Sequence, residues 1–153
     1  MATRRWLGLA APTTQIETIT VANTWATNDT GTVTVNGQDL ILTIGAVATT
    51  TGIATALAAA INAANRTDSL VGTESRNRGG QEIPEFTDFT AEASGSTVVL
   101  TGNYPGKPFT VSVSESTAGT GTLATTTTVA ATGPNHFDNA DNWSGATLPA
   151  IGA

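Results

Sequence analysis

Residues able to carry acid–base or ligand chemistry are few in this chain. His136 is its only histidine. A serine-type triad would have to use it, and PNHFDNADNW places Asp138 and Asp141 close by in sequence. No G-x-S-x-G elbow presents a serine nucleophile. There is no cysteine, so thiolate catalysis, disulfides and sulfur metal ligands are all excluded. The run DNADNW, Asp138 to Trp143, gathers oxygen donors of the kind that hold Ca²⁺. It lacks the alternating ligands and closing glutamate of an EF-hand loop, and its other reading is a cluster of Asx turns. Glu82 and Glu85 flank Pro84 and come nearest to a carboxylate pair. With Asp29, Asp39, Asp88 and Glu92 they read as solvated faces. GTGT at 119–122 has neither the lysine nor the strand-to-helix context of a phosphate loop. No catalytic residue, cofactor or metal is therefore assigned, the chain is read as not an enzyme, and His136 is expected in a loop, bonded to backbone.

Composition narrows the function classes further. The chain has 153 residues, of which 31 are Thr and only 12% are charged, about half the usual charged share. Threonine is stiff at χ1 and suits strands and their wet faces. A surface wetted by hydroxyls rather than charges fits an extracellular or virion protein, or a secreted adhesin. The net charge is −6, and an acidic chain gains nothing from releasing phosphate counterions, which argues against nucleic acid as a partner. Arg4-Arg5 is the one tight basic pair. The opening MATRRWLGLAAPTT has too short an apolar run for a signal peptide, and no stretch is long enough to span a membrane. The expectation is a soluble protein made in a cytoplasm.

The elements that must position any site are easier to read. In TVTVNGQDLILTI, Thr32 to Ile44, Asn36-Gly37 marks a two-residue type I′ hairpin turn, because both central positions need positive φ. Val35 then faces Gln38, Val33 faces Leu40 and Gly31 faces Leu42. Val33, Val35, Leu40, Leu42 and Ile44 share the apolar face, with Thr32, Thr34, Asp39, Ile41 and Thr43 on the other. In ATTTGIATALAAAINAANRT, Ile53, Leu57 and Ile61 recur every four residues and Ala54, Ala58 and Ala64 widen the stripe. This predicts a helix over about 51–65, capped by Thr50 or Thr51, ended by Asn65 and laid on the hairpin's apolar face. Each of its three large side chains should contribute roughly 1.5–3 kcal/mol by burial.

QIETITVA gives a preceding strand with Ile16 and either Ile19 or Val21 inward. SLVGTESRNRGGQEIPEF, Ser69 to Phe86, reads as a long loop, a partner contact or flexible arm on one reading and a merely solvated excursion on the other. FTAEASGSTVVLTG forms a second hairpin turning at Ser94-Gly95-Ser96. Pro105-Gly106 fits a type II turn. FTVSVSES puts Phe109, Val111 and Val113 on one face, and a Thr-rich strand follows near Thr125–Ala130. The expected fold is α+β and mostly β: a twisted antiparallel sheet or sandwich of about six to eight strands with one Ala-rich helix across it. Residues 1–14 are expected to form an N-terminal arm, 15–132 the domain and 133–153 a C-terminal tail.

TGTVTVNGQDLILTIGAVATTTGIATALAAAINA, followed by FTAEASGSTVVLTGNYPGKPFTVSVS, resembles a module of tailed-bacteriophage structural proteins, over roughly Gln15 to Thr132. GPNHFDNADNWSGATLPA is similar to segments that precede fibre-like regions in phage and bacterial surface proteins. The resemblance implies a non-enzymatic virion protein, assembled in the host cytoplasm. A capsid decoration or cement protein, or the capsid-proximal base of a head fibre, is the first expectation. A tail tube, sheath-associated or baseplate component is the second. From another class, a carbohydrate-binding adhesin module would need an exposed aromatic platform, for which only Tyr104 and Trp25 lie near turns. The implied partners are other copies of the chain, a trimer for instance, and the major capsid or other virion proteins.

Tryptophan is enriched among residues that anchor interfaces, and two of the three lie near the ends of the chain. Arg4, Arg5, Trp6, Leu7, Leu9, Phe137 and Trp143 are accordingly the expected contacts to a neighbouring subunit.

Overall fold

A computed structural model describes residues 3–45, 49–63, 74–76 and 84–149, with 74–76 described by backbone alone. Among these residues eight strands form two four-stranded antiparallel sheets beside one helix. The strands are β1 (Ile16–Ala22), β2 (Thr30–Val35), β3 (Gln38–Thr43), β4 (Glu74–Arg76), β5 (Phe89–Ser94), β6 (Thr97–Gly102), β7 (Val111–Ser116) and β8 (Thr122–Val129), with α1 (Thr50–Ala63) between β3 and β4. One sheet runs β5-β6-β1-β8 and the other β4-β3-β2-β7. The architecture is the expected mostly-β one, in its sandwich form.

The first hairpin follows its turn chemistry. Asn36 and Gly37 take φ of 48° and 83°, and the pairing is Val35 with Gln38, Val33 with Leu40 and Gly31 with Leu42. Val33, Val35, Leu40, Leu42 and Ile44 are buried. The second hairpin turns through Gly95-Ser96, with Gly95 at φ 58° and Ser94 paired to Thr97. At the type II turn, Gly106 has φ 78° and Lys107 N–H donates to Tyr104 O at 3.2 Å.

Several expectations need correction. The helix starts one residue early, because Thr49 is its cap: Thr49 Oγ1 accepts from Gly52 N–H at 3.0 Å, as an N-cap side chain should. Ala64 and Asn65 lie outside the described residues. The helix buries Ile53, Leu57 and Ile61 with Ala54, Ala58, Ala60 and Ala63. Its main support is β5, then β1 and β6, and only secondarily β3. It therefore wedges between the sheets rather than lying on the first hairpin. The sheets approach each other along β7 and β8, and the helix fills the opposite side.

In β1 both Ile19 and Val21 point inward, while Ile16 is half-exposed on the other face. The inward position before Ile19 is Glu17, which is buried. Its Oε1 accepts from Gln15 Nε2 at 2.8 Å and from Thr127 Oγ1 at 2.7 Å. Asp29, expected on a solvated face, is also buried. Its carboxylate accepts Ala26 N–H at 2.7 Å and Ala118 N–H at 2.8 Å. A short carboxylate bearing on two backbone donors satisfies groups that would otherwise be orphaned at the corner before β2.

Of the segment 69–86, residues 74–76 add a strand to β3, and a 3-10 turn at Pro84–Thr87 sends Phe86 into the core. The remainder, Glu82 included, lies outside the described residues. Phe86, Phe89 and Phe109 form a line of ring contacts, with centroids 5.8 and 5.0 Å apart. Trp25 is also core: it is 6% exposed and its Nε1–H donates to Ala22 O at 3.0 Å.

Candidate functional site

The two ends of the chain meet. Asn142 has no exposed surface and makes its bonds in both directions. Its Oδ1 accepts Ala10 N–H at 2.7 Å, and its Nδ2 donates to Gly133 O at 2.8 Å and His136 O at 2.9 Å. Its backbone carbonyl accepts Leu7 N–H at 2.6 Å. Beside it, Ser144 N–H donates to Arg5 O at 2.9 Å, Arg5 N–H donates to Ser144 Oγ at 3.0 Å, and Arg4 Nη1 donates to Ser144 O at 2.9 Å. Thr13 and Thr132 close a second bridge further in.

Aromatic rings lie over this frame. Trp6 stacks on Phe137 with centroids 4.5 Å apart and planes 23° from parallel. Trp6 meets Trp143 edge to face at 5.1 Å, and Phe137 lies 5.9 Å from Trp143. Trp143 Nε1–H donates to Phe137 O at 3.0 Å, which fixes the indole to the loop carrying Phe137. These separations are those at which ring quadrupoles favour offset and edge-on contact. The cluster is not submerged: Phe137 is 69% exposed and Leu9 72%, and Leu9 is held between Gly8 and Ala10, both of which bond to Asn142. Arg5, next to Trp6 in the chain, is exposed.

Trp6, Phe137 and Trp143 are thus brought together with Arg4, Arg5 and Leu7 at one place, and Leu9 projects beside them. The expectation of two separate arms changes in one respect: each end is held by the other within the chain. Of the buried polar anchors, Asn142, Gln15 and Glu17 carry no role in the sequence reading, and Asp29 was placed there on a solvated face. For Asn142 the only sequence signal was the density of Asx residues in DNADNW, where Asn139 Oδ1 indeed accepts Asp141 N–H at 3.0 Å.

His136 sits under this layer with Nε2 3.1 Å from Gly106 O. A carbonyl only accepts, so Nε2 carries the hydrogen. Nδ1 lies 3.9 Å from Asp138 Oδ1. The ring links the Pro105-Gly106 turn to the C-terminal segment, and neither nitrogen is aimed at a hydroxyl nucleophile. Among the described residues no three acidic or histidine side chains come together as a metal cluster, and no helix is long and apolar enough to cross a membrane.

A mostly-β sandwich with a rigid, aromatic surface and an exposed arginine next to it in the chain is the class that fold and site define. No known protein family matches the chain, and no curated protein is similar to it.

Proposed function

We propose that this chain is a non-enzymatic structural protein of a tailed-phage virion, a capsid decoration or cement protein or the base of a head fibre. Its task is to add contact area to an assembled shell. The observation that carries the reading is the layer of Phe137, Trp6 and Trp143 with Leu9, in which Phe137 and Leu9 are exposed and the two indoles half-buried, mounted on the hydrogen-bonded Asn142 frame. Large apolar side chains exposed on a rigid frame lose little entropy when a partner covers them. Aromatic residues and arginine are the composition of interface anchors. The phage-module resemblance of residues 15–132 and the hydroxyl-rich, weakly charged surface support the same class.

The mechanism is mass action. A protein that binds the assembled shell and not its separated parts shifts the equilibrium away from disassembly, and repeated weak contacts on a symmetric lattice sum by avidity. The adhesin alternative loses one of its two candidate platform residues, since Trp25 is core. Tyr104 remains exposed, with Lys107 Nζ 5.5 Å from its ring centre.

The test is made on particles. Virions purified from cells encoding this chain should contain it in a fixed ratio to the major shell protein by mass spectrometry. Replacing Leu9 and Phe137 with serine should remove it from the particle while the purified variant keeps its circular dichroism spectrum. Virions that carry no copy of the chain would overturn the proposal.

A further inference from the structure

A sheet edge is an open row of backbone donors and acceptors, and folded proteins guard such rows. Three of the four edges here are guarded. The β5 edge is occupied by the helix: Asn62 Nδ2 donates to Ala91 O at 2.8 Å and Asn62 Oδ1 accepts Ala91 N–H at 2.9 Å. The β4 edge is three residues long and its sequence, Glu-Ser-Arg, is charged. The β7 edge carries Glu115 at the same parity as the half-buried Val111 and Val113, an inward-parity charge of the kind that discourages pairing.

The β8 edge has none of these, and β7 of the other sheet runs near it without pairing to it. Its eight residues, TLATTTTV, contain no charge, glycine or proline. The direction of its free groups follows from the ladder. Val21 N–H donates to Ser96 O across the β6 side of β1, so odd-numbered residues of β1 bond toward β6 and even-numbered ones toward β8. The register pairs Thr18 with Thr126, Thr20 with Ala124 and Ala22 with Thr122. Leu123, Thr125 and Thr127 therefore turn their N–H and C=O away from β1, and among the described residues no strand pairs with them.

We infer that the β8 edge is a self-association surface, paired antiparallel with β8 of a second copy about a twofold axis. A second copy is favoured by charge. A chain of net charge −6 repels itself over most approaches, but β8 presents an uncharged strip to its own image. An antiparallel edge is also self-complementary under a twofold, as an isologous contact requires. Centring the axis on Thr125 sets Thr125 opposite Thr125 of the second copy and Leu123 opposite Thr127, each facing pair exchanging two backbone hydrogen bonds. Ala124 and Thr126, both exposed, then face each other across the junction, where small and β-branched side chains pack without repulsion. The inference uses a different surface from the aromatic layer and does not rest on the virion reading.

Sedimentation velocity and amide hydrogen exchange on the full chain test it. The wild-type chain should pass from monomer to dimer as concentration rises. The amides of Leu123, Thr125 and Thr127 should slow by about tenfold or more over the same range, while those of Ala124 and Thr126, already bonded to β1, should not change. The double variant Ala124→Lys, Thr126→Lys sets lysine against lysine across the twofold. It should stay monomeric with an unchanged circular dichroism spectrum, because both side chains point to solvent. The pair Leu9→Ser, Phe137→Ser should dimerise as the wild type does, which separates this edge from the aromatic layer. A wild-type monomer at all concentrations would overturn the inference, as would a lysine variant that dimerises normally. Slow exchange at the three odd positions independent of concentration would also overturn it, by showing that the chain covers its own edge.

Discussion

Asn142 accepts the backbone N–H of Ala10 at 2.7 Å in a site closed to solvent, across 132 positions of sequence. The bond does more than join two ends. Its side chain also donates to Gly133 O and His136 O, each of which accepts a backbone N–H as well, so one amide ties three backbone groups together, the buried Ala10 N–H among them.

Replacing Asn142 with alanine should therefore be costly for one residue. It leaves the Ala10 N–H without its acceptor and takes one of two donors from Gly133 O and from His136 O, a loss of about 1–3 kcal/mol if the groups stay buried. If the ends separate instead, the loss of stability is smaller and the Trp6 and Trp143 rings become exposed to water. Urea unfolding followed by circular dichroism, set beside the tryptophan emission of the folded variant, distinguishes the two. The same geometry sets the outcome of an N-terminal truncation. Deleting residues 1–12 removes Leu7 and Ala10 from Asn142 and Trp6 from Phe137, so the shortened chain should be less stable as well as less able to dock.

The stacking of Trp6 on Phe137 should be measurable as a coupling. A double-mutant cycle of Trp6→Ala and Phe137→Ala should give an interaction of about 0.5–1.5 kcal/mol beyond the separate effects. Because Phe137 is exposed, its single substitution should cost little in the isolated chain, under about 1 kcal/mol. Additive effects would mean that the rings do not stack in solution.

The hairpins, the helix and the mostly-β class were legible because each is written locally. Asn36-Gly37 fixes a register, Gly95 and Pro105-Gly106 fix turns, and Ile53, Leu57 and Ile61 trace one stripe. Which surface the helix would cover was not legible. Its stripe says only that one face is apolar, and both sheets offer an apolar face. Asn62 decides it through the Ala91 backbone, and an asparagine near a helix end looks the same in sequence whether it caps, binds or faces water. The buried carboxylate of Asp29 was misread, and that of Glu17 passed over, for a related reason: a charged residue in a strand or corner reads as exposed unless its hydrogen-bond partners are known. The aromatic residues of the candidate surface were found by type, but their meeting within one chain depends on a pairing more than a hundred residues apart.

Two glycines separate conformational from steric constraint. Gly37 needs its positive φ, and a Cβ there would meet nothing within 4 Å. Gly37→Ala should cost about 1–2 kcal/mol, from backbone strain alone. At Gly121 a Cβ would fall 2.4 Å from the Trp25 ring, so Gly121→Ala must displace an indole from the core. The expected cost is about 1–3 kcal/mol or more, with a change in the near-ultraviolet signal of Trp25 that Gly37→Ala does not produce. Equal, spectroscopically silent losses at both sites would contradict the packing of Trp25 against the loop before β8.

Asn62 joins folding to solubility. Its two bonds to Ala91 act like one rung of an additional strand, so the helix closes the β5 edge chemically as well as by bulk. Asn62→Ala should cost about 1–3 kcal/mol, since two partly buried backbone groups lose their partner. It should also raise the rate of aggregation measured by light scattering, because the freed edge becomes a template for pairing. Asn62→Asp separates the contributions. The carboxylate can still accept Ala91 N–H but faces Ala91 O with a charge in place of a donor, so it should lose at least as much stability as the alanine variant. Yet its added negative charge should keep aggregation below that variant's. If Asn62→Ala unfolds at the wild-type urea concentration and stays as soluble, the side chain is not what guards β5.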